Sequence, residues 1–258
     1  MLWRMIKERR VLLKKDFHII DTTRFRLRMD NKEREIMGKK DLAFSAKYDS
    51  AHTKAYHEKH SASIGRRLSN WREQQISAKA LEMAGDPEVV LDLPCGAGRF
   101  WPLLAQKKNR EILAADNSED MLRVAQSVHP AHLLSRIQMF QTSAFQIDIE
   151  DGRVDHIFCM RLMHHITQPE DRIAILREFF RVTRETVAVS LWVDGNFKAF
   201  KRKRLEARRT HKKYRNRIVI ERSAAEREFT TAGLDVRGHF DFMKYYAMWR
   251  IYILQKRT

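Results

Sequence analysis

The run Val90-Leu-Asp-Leu-Pro-Cys-Gly-Ala-Gly-Arg99 constrains the fold of this chain more than any other stretch. An apolar strand ends in an acid, Asp92, passes through a turn carrying Gly96 and Gly98, and opens a helix over 98–106. In an open α/β sheet, ligands bind beyond the carboxyl ends of the strands. Glycines at such a turn let the backbone approach a ligand closely.

What surrounds the run has the same grammar. Apolar residues at helical spacing over 68–84, closed by Gly85, predict a helix. Strands are expected at 89–93, 111–115, 137–141, 154–160 and 186–193, with helices at 98–106, 118–127, 170–182 and 223–232. Ser118 caps its helix with Glu119 and Asp120 in the first turn, and Gly233 ends the last one. Strands alternating with helices imply a mainly parallel sheet with right-handed crossovers. Two further strands, near 235–242 and 248–254, are joined too closely for a crossover and should form an antiparallel C-terminal hairpin. The expected fold class is therefore α/β: Rossmann-like, a mostly parallel sheet with helices on both faces. The expected organisation is a poorly ordered basic arm over 1–40, a helical lid over 41–84, and the α/β domain over 85–258 with a basic insertion at 197–222. Met29 offers an alternative start.

Composition speaks to setting and partners. No apolar stretch approaches the ~18 residues of a membrane-spanning helix; the longest, Val187 to Val193, reads as a buried strand. Two cysteines, Cys95 and Cys159, exclude a disulfide scaffold and make a reducing cytoplasm the default. The formal net charge of +17 draws polyanions or acidic proteins, although a generally basic surface would read the same way. Between Lys198 and Arg217 basic residues are opposed only by Glu206. Like charges at spacings of three and four weaken a helix, which favours a binding role over a merely solvated face.

Asp116, in Ala-Ala-Asp-Asn-Ser, tips the second strand and can accept both hydroxyls of a ribose. A nicotinamide dinucleotide would want Gly or Ala at the third position of its fingerprint. That position is Trp101, which is too large for close helix–strand packing. The ordered set Asp92–Gly98, Asp116-Asn-Ser-Glu-Asp-Met-Leu122 and Asp155-His-Ile-Phe-Cys-Met-Arg-Leu-Met-His-His-Ile166 resembles the class I S-adenosylmethionine-dependent methyltransferases, in the branch of the quinone-biosynthesis-like enzymes. Arg66-Arg-Leu-Ser-Asn70 and the terminal Tyr-Tyr-x-Met-Trp-Arg run look loosely similar to the bacterial enzymes that methylate a lysine of elongation factor Tu. The resemblance covers Leu81 to Thr258 and implies a seven-stranded sheet whose last strand is antiparallel. It implies S-adenosyl-L-methionine as cofactor, held by Asp92, Pro94, Gly96, Gly98, Asp116, Asn117, Ser143, Ala144 and Arg161. Two departures stand out. The family's first loop glycine is Pro94, which has no N–H, and its adenine-binding acid is replaced by Ser143, with Phe145 placed to flank the ring or to pack in the core.

Methyl transfer asks the protein mainly to bind, orient and desolvate, with a base useful for a protonated acceptor. His164 and His165 follow the fourth strand, adjacent and so aimed apart, as a candidate base or as loop packing. Arg161 can anchor the cofactor carboxylate or an acidic group. Tyr245, Tyr246 and Trp249 can form a cation–π cage or pack as core. Tyr56, His57, Arg66 and Arg67 fall where a lid or substrate contact is expected. No metal-ligand spacing is present. The expected acceptor is a lysine of an acidic protein, with RNA or a phosphorylated glycolipid as the alternative anionic acceptor and a quinone-like small molecule as the third.

Overall fold

A computed structural model describes residues 64–207 and 217–257. The expected basic arm, Tyr56 and His57 lie outside the described residues, as does the middle of the basic segment. The chain runs α1 (Ile64–Met83), β1 (Val89–Asp92), α2 (Trp101–Leu104), β2 (Glu111–Asp116), α3 (Glu119–Val128), α4 (Ala131–Leu134), β3 (Ile137–Gln141), β4 (Val154–Cys159), a 3₁₀ turn (Met163–His165), α5 (Pro169–Val182), β5 (Thr183–Trp192), α6 (Phe197–Ala207), α7 (Arg222–Thr231), β6 (Leu234–Asp241) and β7 (Trp249–Lys256).

The strands form one seven-stranded sheet in the order β3-β2-β1-β4-β5-β7-β6. β1 to β5 pair in parallel, and β7 runs antiparallel to both β5 and β6, so the C-terminal hairpin is as expected. Successive strand residues face opposite sides of the sheet. Leu91, Leu113, Ile157 and Val187 pack towards α5 and α7, against Ile175, Leu176, Phe179 and Phe229. Their neighbours Val90, Ile112, Phe158 and Ala188 pack the other way, against Ile76 and Ala80 of α1, Trp101 and Leu104 of α2, and Leu122 of α3. Burial on both faces is why the strands read as continuous apolar runs.

Two expectations are revised. Trp101 is fully buried, and it packs closely because Gly98 faces it: a Cβ on Gly98 would lie 2.5 Å from the indole. The basic stretch after β5 does form a helix, α6. The Asn196 side chain accepts from the Ala199 N–H at 2.9 Å, Arg202 pairs with Glu206 at 2.9 Å, and Ala199 is buried against the domain. These local contacts offset the repulsion along its outer side.

Candidate active site

The parallel strands all point their carboxyl ends to one edge, and a cleft opens there over β1, β2 and the turns after β3 and β4. Asp116 defines its centre. One carboxylate oxygen accepts the Gly96 N–H at 2.9 Å and the other accepts the Ser118 N–H at 2.9 Å. The Cys95 N–H donates to the Ala115 carbonyl at 2.8 Å. The tips of β1 and β2 are thereby joined. Burial raises the Asp116 carboxyl from its ordinary value, against the opposing effect of those backbone donors.

Among the residues proposed from the sequence to hold a cofactor, Pro94, Gly96, Asp116, Asn117, Ser143, Ala144 and Arg161 line this cleft. Ser143 Oγ accepts the Phe145 N–H at 3.2 Å, which folds the turn after β3, and Phe145 lines the cleft while its side chain is buried in the core. Gly96 sits at φ +54, and a Cβ there would meet nothing within 4 Å, so the space above it is open. Gly98 and Asp92 lie behind the lining. Asp92 is 1% exposed, and among the described residues neither carboxylate oxygen makes a full hydrogen bond, the Trp101 indole N–H being the polar group beside it. Burial, and then the Asp116 carboxylate, push its carboxyl well above the usual range.

Arg161 follows β4 with φ +64, a conformation that L side chains rarely adopt. Its N–H donates to Ser190 Oγ at 2.7 Å. Its guanidinium donates to both oxygens of Glu73, on α1, at 3.0 and 2.6 Å. Arg99, from the β1 turn, reaches the same carboxylate at 2.5 Å and Asn70 at 2.9 Å. Glu73 is 2% exposed. Nothing in the helix pattern marks it, because a single Glu there looks like any solvated residue until the fold buries it.

The histidine pair divides. His165 lines the cleft. His164 is buried, with its ring stacked on Trp192 at 4.8 Å and edge-on to Trp249 at 5.5 Å. The two imidazoles, expected to point apart, are instead in contact at 4.3 Å because a tight 3₁₀ turn carries them. Burial first, then His165, Arg217, Arg161 and Arg202, push the His164 pKa down to about 2. A ring held neutral to that degree is a poor proton acceptor. Tyr245 and Tyr246 do not line the cleft. Tyr245, at φ +63, lines a separate groove with Asp194, Arg222 and Arg250, and Tyr246 stacks on Phe197. Trp249 carries the Arg161 guanidinium over its ring at 5.0 Å. Arg66 and Arg67 are exposed on the first turns of α1. No cluster of His, Cys, Asp and Glu among the described residues is arranged to hold a metal.

Residues 90–186 match the methyltransferase domain family. An uncharacterized protein of Synechococcus is 32% identical over 113 residues, which are 42% of this chain and 27% of that one. The tRNA U34 carboxymethyltransferase of Shewanella piezotolerans is 26% identical over 140 residues, 50% of this chain and 38% of that one. The chain thus spans well under half the length of these curated relatives. Among solved structures, magnesium protoporphyrin IX methyltransferase from Synechocystis with bound SAH superposes with a TM-score of 0.61 at 14% identity, covering 76% of this chain and 88% of that one. A putative sarcosine dimethylglycine methyltransferase from Galdieria sulphuraria gives 0.57 at 16% identity, covering 74% and 88%. These likenesses carry the fold. The residues present fit the group the family binds: a carboxylate at the tip of β2 for a ribose, open space above Gly96, and a buried acid, Asp92, beneath the turn. Over residues 90–186 the chain thus matches the methyltransferase domain family, and its fold is the one seen in the methyltransferase crystallised with SAH.

Proposed function

We propose that this chain methylates a lysine side chain of an acidic protein. The observation that carries the reading is the group of cations gathered around the His164–His165 turn: Arg161 on the cleft lining, and Arg202 and Arg217 over the Trp192 ring at 5.2 and 5.5 Å. Burial first, and then these cations, keep the neighbouring His164 in its neutral form. A lysine amine ordinarily titrates near ~10.4 and is inert while protonated. Cations beside it lower that value and supply the nucleophilic neutral amine. The same cations attract carboxylates around the target lysine.

Bound S-adenosylmethionine would supply an electrophilic methyl group for in-line displacement. Asp116 would hold the ribose, and the turn through Gly96 would let the backbone lie against the cofactor. Arg161 and Arg99, held on the cleft lining by Glu73, would face its carboxylate. His165, on the lining, would receive the proton that the amine sheds. Trp192 and Trp249 pack on the His164 ring next to it. The buried free thiols Cys95 and Cys159 suit a reducing compartment, and a cytoplasmic setting is part of this reading. No described helix is long and apolar enough to cross a membrane.

A second reading, an RNA acceptor, draws on the name of the Shewanella relatives and on the same cations. Labelled methyl transfer into a cell lysate separates the two. The lysine reading expects label that survives nuclease, is released by protease and co-migrates with Nε-methyllysine after hydrolysis. Label released by nuclease would overturn it.

A further inference from the structure

We infer that α6 and the loop between β6 and β7 form the surface on which the acceptor docks, and that the docked segment is an acidic stretch carrying an apolar anchor side chain. The inference rests on the lysine reading and specifies its partner. Phe197 and Phe200 of α6 are 56% and 65% exposed. They stand three residues apart and so are neighbours on the helix surface. Tyr246, from the β6–β7 loop, lies parallel to Phe197 with ring centroids 5.9 Å apart, extending the ridge. Lys201 and Arg204 follow Phe197 and Phe200 by four residues, one helical turn along the axis, and both are exposed. The one carboxylate on α6, Glu206, is paired with Arg202. The surface therefore joins an uncovered aromatic ridge to cations one turn away, a composition typical of the anchoring part of interfaces.

Charge decides what covers it. The 63 residues preceding the described chain hold 16 Lys and Arg against 9 Asp and Glu, so they are repelled by α6, as is a second copy presenting the same helix. Apolar and basic residues share one side of α6, whereas a helix lying in a bilayer separates them onto opposite sides. An acidic segment with an apolar side chain satisfies both halves. The surface is also continuous with the cleft. The Phe197 and Lys198 N–H groups donate to the Tyr245 and Tyr246 carbonyls at 2.9 and 3.0 Å, fixing loop to helix. Arg202 lies 5.2 Å over Trp192, which stacks on His164, next to His165 on the cleft lining.

The test uses the full chain and three fluorescent probes: an Asp/Glu-rich peptide containing a Leu-Phe pair, the same peptide with that pair replaced by Ser-Ser, and single-stranded oligo(U). The first peptide should bind at least roughly tenfold tighter than the second, the scale of a lost interface anchor. Phe197→Ala with Phe200→Ala should abolish that difference, whereas Lys201→Gln with Arg204→Gln should weaken both peptides and flatten the salt dependence. Cofactor affinity, read by calorimetry, should not change in either variant. Equal binding of the two peptides overturns the inference. So does oligo(U) binding more tightly than both and losing affinity in the aromatic variant. Peptide binding needs no methyl transfer, so nuclease-sensitive label alongside anchor-dependent peptide binding refutes the lysine reading and leaves the docking surface standing.

Discussion

Glu73 on α1 receives both guanidinium hydrogen bonds of Arg161, a residue whose own backbone is held in the left-handed region beside the cofactor cleft. α1 is thus tied to the site through a buried carboxylate. Glu73→Gln leaves two guanidiniums without their shared charge. A fully buried pair broken in this way costs roughly 3–5 kcal/mol. Here the arginine side chains keep 23% and 33% of their surface, so about 2–3 kcal/mol is expected after allowance for water. Thermal denaturation should show that loss, and cofactor titration should show affinity reduced by about tenfold or more, since Arg161 is no longer oriented. Glu73→Asp should recover part of both. An unchanged cofactor affinity would show that the ion pair only fastens the helix.

The two loop glycines should separate by mechanism. A Cβ at Gly98 meets the Trp101 ring at 2.5 Å and His129 at 2.7 Å, in addition to a φ of +71. Gly98→Ala should destabilise by roughly 2–4 kcal/mol from overpacking and backbone strain together. Gly96→Ala meets no atom, so its penalty should stay near the roughly 1–2 kcal/mol of the positive φ alone. It should nevertheless weaken cofactor binding by intruding on the cleft. Melting curves and titration of both variants check the contrast.

His164 gives the fold a defined acid sensitivity. Its folded pKa is pushed from 6.5 to about 2, so below about 6.5 the unfolded chain takes up a proton that the folded chain refuses. Its contribution is complete above pH 6.5 and is lost progressively as pH falls towards 2. His164→Asn should flatten the decline in melting temperature between pH 6.5 and 4, even if the variant is less stable at neutral pH. Parallel declines in the two proteins would mean that other groups carry the acid response.

Asp92 works in the opposite sense. Its folded carboxyl titrates well above its ordinary value, so from about pH 4 upward the unfolded chain loses a proton that the folded chain retains. Stability from this group is therefore present at low pH and drains away as pH rises towards the folded value. Asp92→Asn should melt higher than the parent, by a margin that grows from pH 4 to 7, while binding the cofactor less tightly. A margin independent of pH would place the cause elsewhere.

The sheet was readable because its strands are buried on both faces, so Val90–Asp92, Ile112–Asp116 and Val187–Leu191 announce themselves as apolar runs. Their glycine and Asp/Ser punctuation sets the turns. The position of the cleft was readable for the same reason: Gly96 and Asp116 sit at strand ends, and strand ends converge. What escaped was tertiary. The role of Glu73 depends on which side of α1 faces the cleft. The burial of His164 depends on a 3₁₀ turn and on Trp192 and Trp249 arriving from two other strands. α6 was obscured by its own charge, since Ala199 and the Asn196 cap are weak local signals beside so many like charges. Tyr245 and Tyr246 were placed near the acceptor by their aromatic character, yet the β6–β7 loop turns them to the surface beyond α6.

The central claim is that the tips of β1 and β2, joined through Asp116 and Gly96, form one S-adenosylmethionine site. Calorimetric titration of the full chain and of Asp116→Ala with S-adenosylmethionine tests it most directly. The account predicts one saturable site in the parent, and an affinity about a hundredfold or more weaker in a variant that still melts cooperatively, since two hydrogen bonds to a charged group are removed. Equal affinity in the two proteins, or no binding by the parent, would contradict it.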